Sequence, residues 1–221
     1  MRDVICGVLR ARPNPNNWSV YPNIWDEVQN FVYSAQWYQV YDIIEAFAVQ
    51  CSRNGDLQEF STLLNGLLVD EGIGWQLNGT LLEVYGDAAL ESVLGDTEQE
   101  LKDSGLTTAS SELAEARGDL SRRPEPDLSG AIHHAMAALE CVAREITGDP
   151  KKTLGDIIKR HPGLLPPPVD DAAAKLWGYA SEHARHGNEK RRLVWEEVLL
   201  VVGVAGALCS YLNATGEISD G

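Results

Sequence analysis

Positions 181–189 read SEHARHGNE and set His183, Arg185 and His186 within four positions. An imidazole titrates near neutrality, so a histidine pair can give and take protons at physiological pH. A guanidinium presents a planar fork of donors that matches phosphate oxygens. Lys190, Arg191 and Arg192 follow, so the cations here outnumber the acids Glu182 and Glu189. The residues alone leave three readings open. One is an anion or phosphate site at the start of the last helix, where exposed backbone N–H groups favour negative charge. One is a solvated helix junction with ordinary charge mixing. The last is a zinc site on His183 and His186, for which no third ligand is evident.

Two further clusters bear on these readings. Lys159, Arg160 and His161 form a small basic knot before a proline turn. His133, Ala137, Glu140 and Arg144 recur at intervals of four, three and four, which keeps them on one helix face. Glu140 and Arg144 one turn apart make a modest surface pair in the bland reading. If their face meets the Arg185–His186 junction, Glu140 orients a site residue instead.

These clusters are exceptions in a strongly acidic chain. The 221 residues carry a formal net charge of −15, with a sequence pI near 4.6. That opposes broad, non-specific attraction to nucleic acid, which needs a basic footprint. The 44% hydrophobic content fits a globular protein and not a disordered one. Cys6, Cys51, Cys141 and Cys209 are too widely spaced for a disulfide framework or a zinc knuckle. Cys141 and Cys209 fall in apolar helical patterns and read as small core residues. The opening MRDVICGVLRARP has too short an apolar run for a signal peptide. The long apolar run 193–212 is broken by Glu196 and Glu197 and weakened by Gly203 and Gly206. It reads as a helix buried in a protein core and not as a membrane span. The expectation is a reduced, soluble, cytoplasmic protein with no membrane anchor, no cofactor and no metal.

The elements that must position the clusters are mainly helical. After the turn-rich RPNPNNWSVYPN, apolar residues between Ile24 and Gln50 recur at three-four spacing, predicting two helices with a break near Ser34. Asp56 is expected to cap a short helix through Leu68, with Phe60, Leu63, Leu64 and Leu67 on one side. Asn78-Gly79 between Gly74–Leu77 and Thr80–Tyr85 predicts a two-residue hairpin turn. From Asp87 the pattern is helical. One region covers about Thr97 to Leu120, interrupted near Gly105. Asp127 caps a helix over 128–147, with Leu128, Ile132, Met136, Leu139, Val142 and Ile146 as its apolar stripe and Gly148 as its stop. A short helix follows over 153–159. The next helix is capped by Asp170 or Asp171 and reaches about Ala184. The last runs from about Glu189 to Leu212. Four main helices with short connections predict an up-down bundle.

Several separated segments resemble a known family. RRPEPDLSGAIHHAMAALECVAREITGD, then TLGDIIKRH and KLWGYASEHARHG, are similar to the HEPN superfamily, and closest to its bacterial abortive-infection group of AbiJ type. FSTLLNGLLVDEGIGWQLNGTLLEV and YPNIWDEVQNFV resemble that group's upstream helices, turn and hairpin. The resemblance implies a mainly α protein, a HEPN-like up-down helical bundle over 91–221. Residues 1–90 would form an N-terminal helical region with one small β-hairpin at about 74–85, packed on the bundle. It also implies a homodimer with its site at the protomer junction, acting as a metal-independent endoribonuclease in phage defence or as a toxin. RNA is then the substrate, and an antitoxin or another defence-system protein is a partner. In that frame Arg185, His186 and His183 are catalytic and Glu140 orients them. Lys190, Arg191, Arg192 and Arg144 hold RNA phosphates. The family's usual signature separates its arginine and histidine by four to six residues, whereas Arg185 and His186 are adjacent. The adjacent Arg-His-Gly is similar to the AbiJ-type subgroup. A non-catalytic dimeric RNA-binding or adaptor module is the other function class this leaves.

Overall fold

A computed structural model describes residues 1–85, 88–185 and 193–216, without the side chains of 88–91 and 183–185. Among the described residues there are ten α-helices and one two-stranded sheet. The chain divides into two compact units, Met1–Tyr85 and Gly86–Gly221.

The first unit contains α1 (Arg2–Leu9), α2 (Trp25–Ser34), α3 (Trp37–Asn54) and α4 (Leu57–Asp70), then β1 (Trp75–Asn78) and β2 (Leu81–Val84). Helix α1 has no counterpart in the sequence expectations. It is short, and only Ile5 and Cys6 are buried. The break after Ser34 is as expected: Ala35 is extended, and Gln36 and Gln39 then cap α3 reciprocally. Gly55, at φ +87°, ends α3 in the left-handed region. Asp56 occupies the N-cap position of α4, but its side chain makes no capping bond.

The apolar face of α4 differs from expectation. Leu68 is buried, and Leu57, Phe60 and Leu64 pack beside it against Ala48, Leu77 and Leu82. Leu63 and Leu67 are exposed. A helix has only one stripe to lay on a two-stranded sheet, and the 57-60-64-68 spacing holds it. The hairpin itself sits one residue later than the expected turn. Asn78 pairs with Leu81, so Gly79 and Thr80 are the turn, and Gly79 takes the positive φ of +57°. A two-stranded sheet leaves backbone groups unpaired on both edges. Side chains from the helices meet them. The Asn65 amide accepts the Leu77 N–H at 2.7 Å and donates to the Leu77 carbonyl at 3.0 Å. Glu45 accepts the Leu82 N–H at 2.8 Å.

The second unit contains α5 (Ala88–Asp103), α6 (Thr107–Leu120), α7 (Leu128–Thr147), α8 (Leu154–Arg160), α9 (Val169–Arg185) and α10 (Trp195–Gly216). Helix α7 is its centre, with α6, α8, α9 and α10 packed on it. Its Asp127 cap accepts the Gly130 N–H at 2.8 Å, and Gly148 stops it at φ +68°. Ile132, Met136, Leu139 and Val142 of the expected stripe are buried. Ala131, Ala135, Ala138 and Ala143 are fully buried too, and their small side chains let neighbouring helices approach closely. Each core leucine removed from water here contributes roughly 1.5–3 kcal/mol.

Three boundaries are corrected. Helix α5 begins at Ala88, not near Thr97, and Gly105 at φ +80° separates it from α6. Helix α9 begins at Val169, so Asp170 and Asp171 lie in its first turn and do not cap it. Pro166 and Pro168 supply the carbonyls that receive the Val169 and Ala172 N–H groups, and first-turn carboxylates suit the helix dipole. Helix α10 is described over Trp195–Gly216, with the Val194 carbonyl receiving the Val198 N–H. It also continues past Leu212 to Gly216, and Asn213 is buried within that extension. Gly206 lets Leu94 of α5 lie against α10, where a Cβ would come 2.6 Å from the leucine Cδ2. By length and composition α10 could cross a membrane. Val198, Val202, Ala205, Cys209 and Leu212 instead lie in the bundle core.

Candidate functional site

Helices α7 and α9 form a cleft of about 180 Å³. From α7 come His133, Met136, Ala137 and Glu140; from α9 come Trp177, Ala180 and Ser181. The stripe read from the sequence therefore does face α9, through His133, Ala137 and Glu140. Trp177 forms one wall and lies flat enough on α8 that a Cβ at Gly155 would come 3.2 Å from its ring. The cleft thus combines an imidazole, a carboxylate, a hydroxyl and an indole.

Glu140 is held firmly. One oxygen accepts the Leu154 N–H at 2.9 Å, which ties the first turn of α8 to α7. The other pairs with Arg144 Nη2 at 2.5 Å. Arg144 Nε in turn donates to the Lys152 carbonyl at 2.8 Å. Arg144 lines a separate cleft with Thr107, Thr108 and Cys141, so it is not brought together with His133, Trp177 and Ser181. Both residues of the expected pair make structural bonds.

Helix α9 ends at Arg185. Arg185 stands four residues beyond Ser181 and His183 three beyond Ala180. By helical register both positions continue the face that lines the cleft. His186, Lys190, Arg191 and Arg192 lie outside the described residues, as does the expected start of the last helix at Glu189. Among the described residues no group of three or more His, Cys, Asp or Glu is arranged to hold a metal. The zinc reading rested on His183 and His186, whose side chains are not described.

The second basic knot is partly neutralised. His161 Nε2 lies 2.9 Å from Asp149 Oδ2, and this contact holds the Asp149 carboxyl below its usual range.

A polar network that the sequence did not announce joins α6 to the start of α7. His134 Nδ1 lies 2.7 Å from Glu112 and its Nε2 lies 3.7 Å from Asp119 Oδ2. Arg122 Nε pairs with the other Asp119 oxygen at 3.0 Å, and its Nη1 reaches Asp127 at 3.2 Å. Asp119 is 2% exposed, and burial pushes its carboxyl above the usual range. Glu112 and His134 are far apart in sequence and share no spacing motif, so only the packing of α6 on α7 joins them. Cys209 is fully buried, and burial pushes its thiol up as well.

Residues 1–92, under half of the chain, match the family described as AbiJ N-terminal domain 4. That stretch is therefore similar to N-terminal domains of abortive-infection proteins of AbiJ type. No curated protein and no solved structure matches the chain.

Proposed function

We propose that the chain is an abortive-infection effector that cleaves RNA without a metal ion, with its site at the end of α9. The observation that carries this is the α7–α9 cleft, in which His133 and Ser181 border the helix face that leads on to His183 and Arg185. The AbiJ-type match of residues 1–92 supports the defence role. The resemblance of the later segments to HEPN proteins supports the chemistry.

RNA carries its own nucleophile, the 2′-hydroxyl. In the proposed reaction His186 takes the 2′-hydroxyl proton as the 2′-oxygen attacks the adjacent phosphorus. Arg185 stabilises the extra negative charge on the phosphoryl oxygens. The bond to the 5′-oxygen breaks, and that oxygen takes a proton from a second imidazole, His183 or His133. A 2′,3′-cyclic phosphate and a 5′-hydroxyl result, with no oxidant or cofactor consumed. Lys190, Arg191 and Arg192 hold the RNA backbone. Trp177 offers an apolar wall on which a base stacks.

The test is incubation of the purified chain with varied RNAs, tRNA included, in EDTA, beside Arg185→Ala and His186→Ala. Cleavage by the wild type and its loss in both variants is expected. No cleavage of any RNA removes the reading.

A second reading has its own support. Glu140 and Arg144 bond to each other and to the α8 region, as structural residues would, and the chain carries a net charge of −15. A non-catalytic adaptor that binds RNA or a defence partner fits those facts. In that case Arg185→Ala abolishes capture of the partner while no cleavage is ever observed.

A further inference from the structure

The first unit carries a cleft of about 690 Å³ that lies wholly within it. Asn23, Asp26, Asn30 and Ser34 line it at intervals of three and four, so they share one face of α2 and the turn leading into it. The loop before that turn adds Asn14 and Asn17. Glu27 builds the cleft by clamping this loop to α2. One of its oxygens accepts the Asn14 N–H at 2.6 Å and the other accepts the Asn17 amide at 3.0 Å. Those bonds hold the Glu27 carboxyl below its usual range. Arg2 completes the clamp, donating to the Asn17 carbonyl at 3.0 Å with Glu27 3.6 Å away.

The clamp leaves other polar groups unused. Among the described residues, the side chains of Asn23, Asp26 and Asn30 make no hydrogen bond or ion pair. A carboxamide offers donors and an acceptor together, whereas a carboxylate only accepts. Aromatic rings accompany these groups. Phe31 lines the cleft. Tyr33, three residues past Asn30, is 83% exposed, and Trp18, next to Asn17, is 85% exposed. Large rings left in water together mark a binding surface. Among the described residues no lysine or arginine lines the cleft. An anionic ligand would meet the carboxylates of Asp26 and Glu27 with no lining cation to offset them.

We infer that this cleft binds a neutral oligosaccharide, with Asn23, Asp26 and Asn30 bonded to its hydroxyls and Tyr33 packed on a sugar ring. A hydroxyl donates and accepts at one atom, which suits carboxamides set beside a carboxylate. A sugar ring also presents a face of C–H groups, and an aromatic ring with a polar tip covers such a face while its tip stays wet. A cleft of this volume takes a ligand of several rings. Nucleic acid is the poorer occupant, because its phosphates need cations that the cleft lacks. A polyamine would find one unpaired carboxylate, Asp26, and leave the carboxamides idle. The ribonuclease reading is not needed for this inference: its residues lie in the first unit, and its readout is binding.

The experiment is isothermal titration calorimetry of the full chain with maltohexaose, cellohexaose, mannohexaose and chitohexaose, beside polyuridylate and spermine. At least one of the sugars is expected to bind, more tightly than its disaccharide and with an affinity that salt does not change. Asn30→Ala and Tyr33→Ala are each expected to weaken that binding roughly three- to tenfold. Their thermal midpoints should match the wild type, because both side chains are exposed and neither makes a hydrogen bond among the described residues. Gln58→Ala, at an exposed position of α4 that does not line the cleft, is the control and leaves binding unchanged. Binding of none of the sugars, or binding that survives both cleft variants, overturns the inference. Polyuridylate or spermine binding that Asn30→Ala and Tyr33→Ala weaken, with no sugar bound, assigns the cleft to that ligand and overturns it too.

Discussion

Glu140 accepts the backbone N–H of Leu154 at 2.9 Å while its second oxygen pairs with Arg144. One side chain thereby fixes the start of α8 against α7 and supports the floor on which Trp177 lies. Removing it leaves the Leu154 N–H without its acceptor and Arg144 with only the Lys152 carbonyl. Glu140→Ala is expected to cost about 1–3 kcal/mol of folding stability, read as the urea midpoint. Glu140→Gln keeps an acceptor for Leu154 and should cost less. If both variants unfold at the wild-type midpoint, the clamp contributes nothing. If Glu140→Gln folds normally yet cleaves RNA no better than the alanine variant, the carboxylate acts in the chemistry as well.

Asp119 predicts an unusual pH dependence. Burial raises its carboxyl above the unfolded value of 3.8, and the opposing pull of Arg122 does not cancel that. The folded protein therefore binds this proton at higher pH than the unfolded chain does. Its contribution to stability improves as pH falls through the raised value toward 3.8, opposite to the usual salt-bridged aspartate. Asp119→Asn abolishes the titration. The difference in urea midpoint between wild type and variant should shift in favour of the wild type as the pH is lowered from neutrality toward 3.8. A difference independent of pH would show that the carboxyl titrates alike in both states.

The same network fixes a glycine. A Cβ on Gly130 would fall on Asp119 Oδ2 and within 2.9 Å of Asp127 Cγ, displacing both the buried carboxylate and the α7 cap. Gly130→Ala should cost about 1–3 kcal/mol despite alanine's better helix propensity. Thermal unfolding checks it, and an unchanged or raised midpoint would refute the close approach.

The sequence was most legible where one local rule decided the outcome. Asp127 and Gly148 bracket α7 as capping chemistry requires, and the stripe of α7 is buried because its three-four spacing has a single solution. The break expected near Ser34 is found at Ala35, which is extended. Legibility fell where tertiary packing chose between equals. Leu63 and Leu68 are both leucines on α4, and only the position of the hairpin decides which is buried. The start of α9 was misplaced because the prolines before it, and not the aspartates within it, supply the first carbonyl acceptors. At the candidate site, the sequence placed His133 and Glu140 on one face, and the structure sets that face against α9. It could not foresee Trp177, whose role depends on Gly155 beneath it. Nor could it foresee that Arg144 turns to another cleft.

His133 is the residue on which the cleft and the proposed chemistry can be separated from stability. It is exposed at the rim of the α7–α9 cleft, and its ring meets that of His134 edge-on at 5.3 Å. An exposed side chain outside the core should change stability by no more than about 0.5 kcal/mol when removed. If its imidazole donates the proton to the leaving 5′-oxygen, His133→Ala should lower RNA cleavage by roughly 10²-fold and remove one limb of the pH–rate profile. His133→Gln, which restores hydrogen bonding without titration, should not recover the rate. Full activity in both variants, with wild-type pH dependence, would assign the second proton transfer to His183.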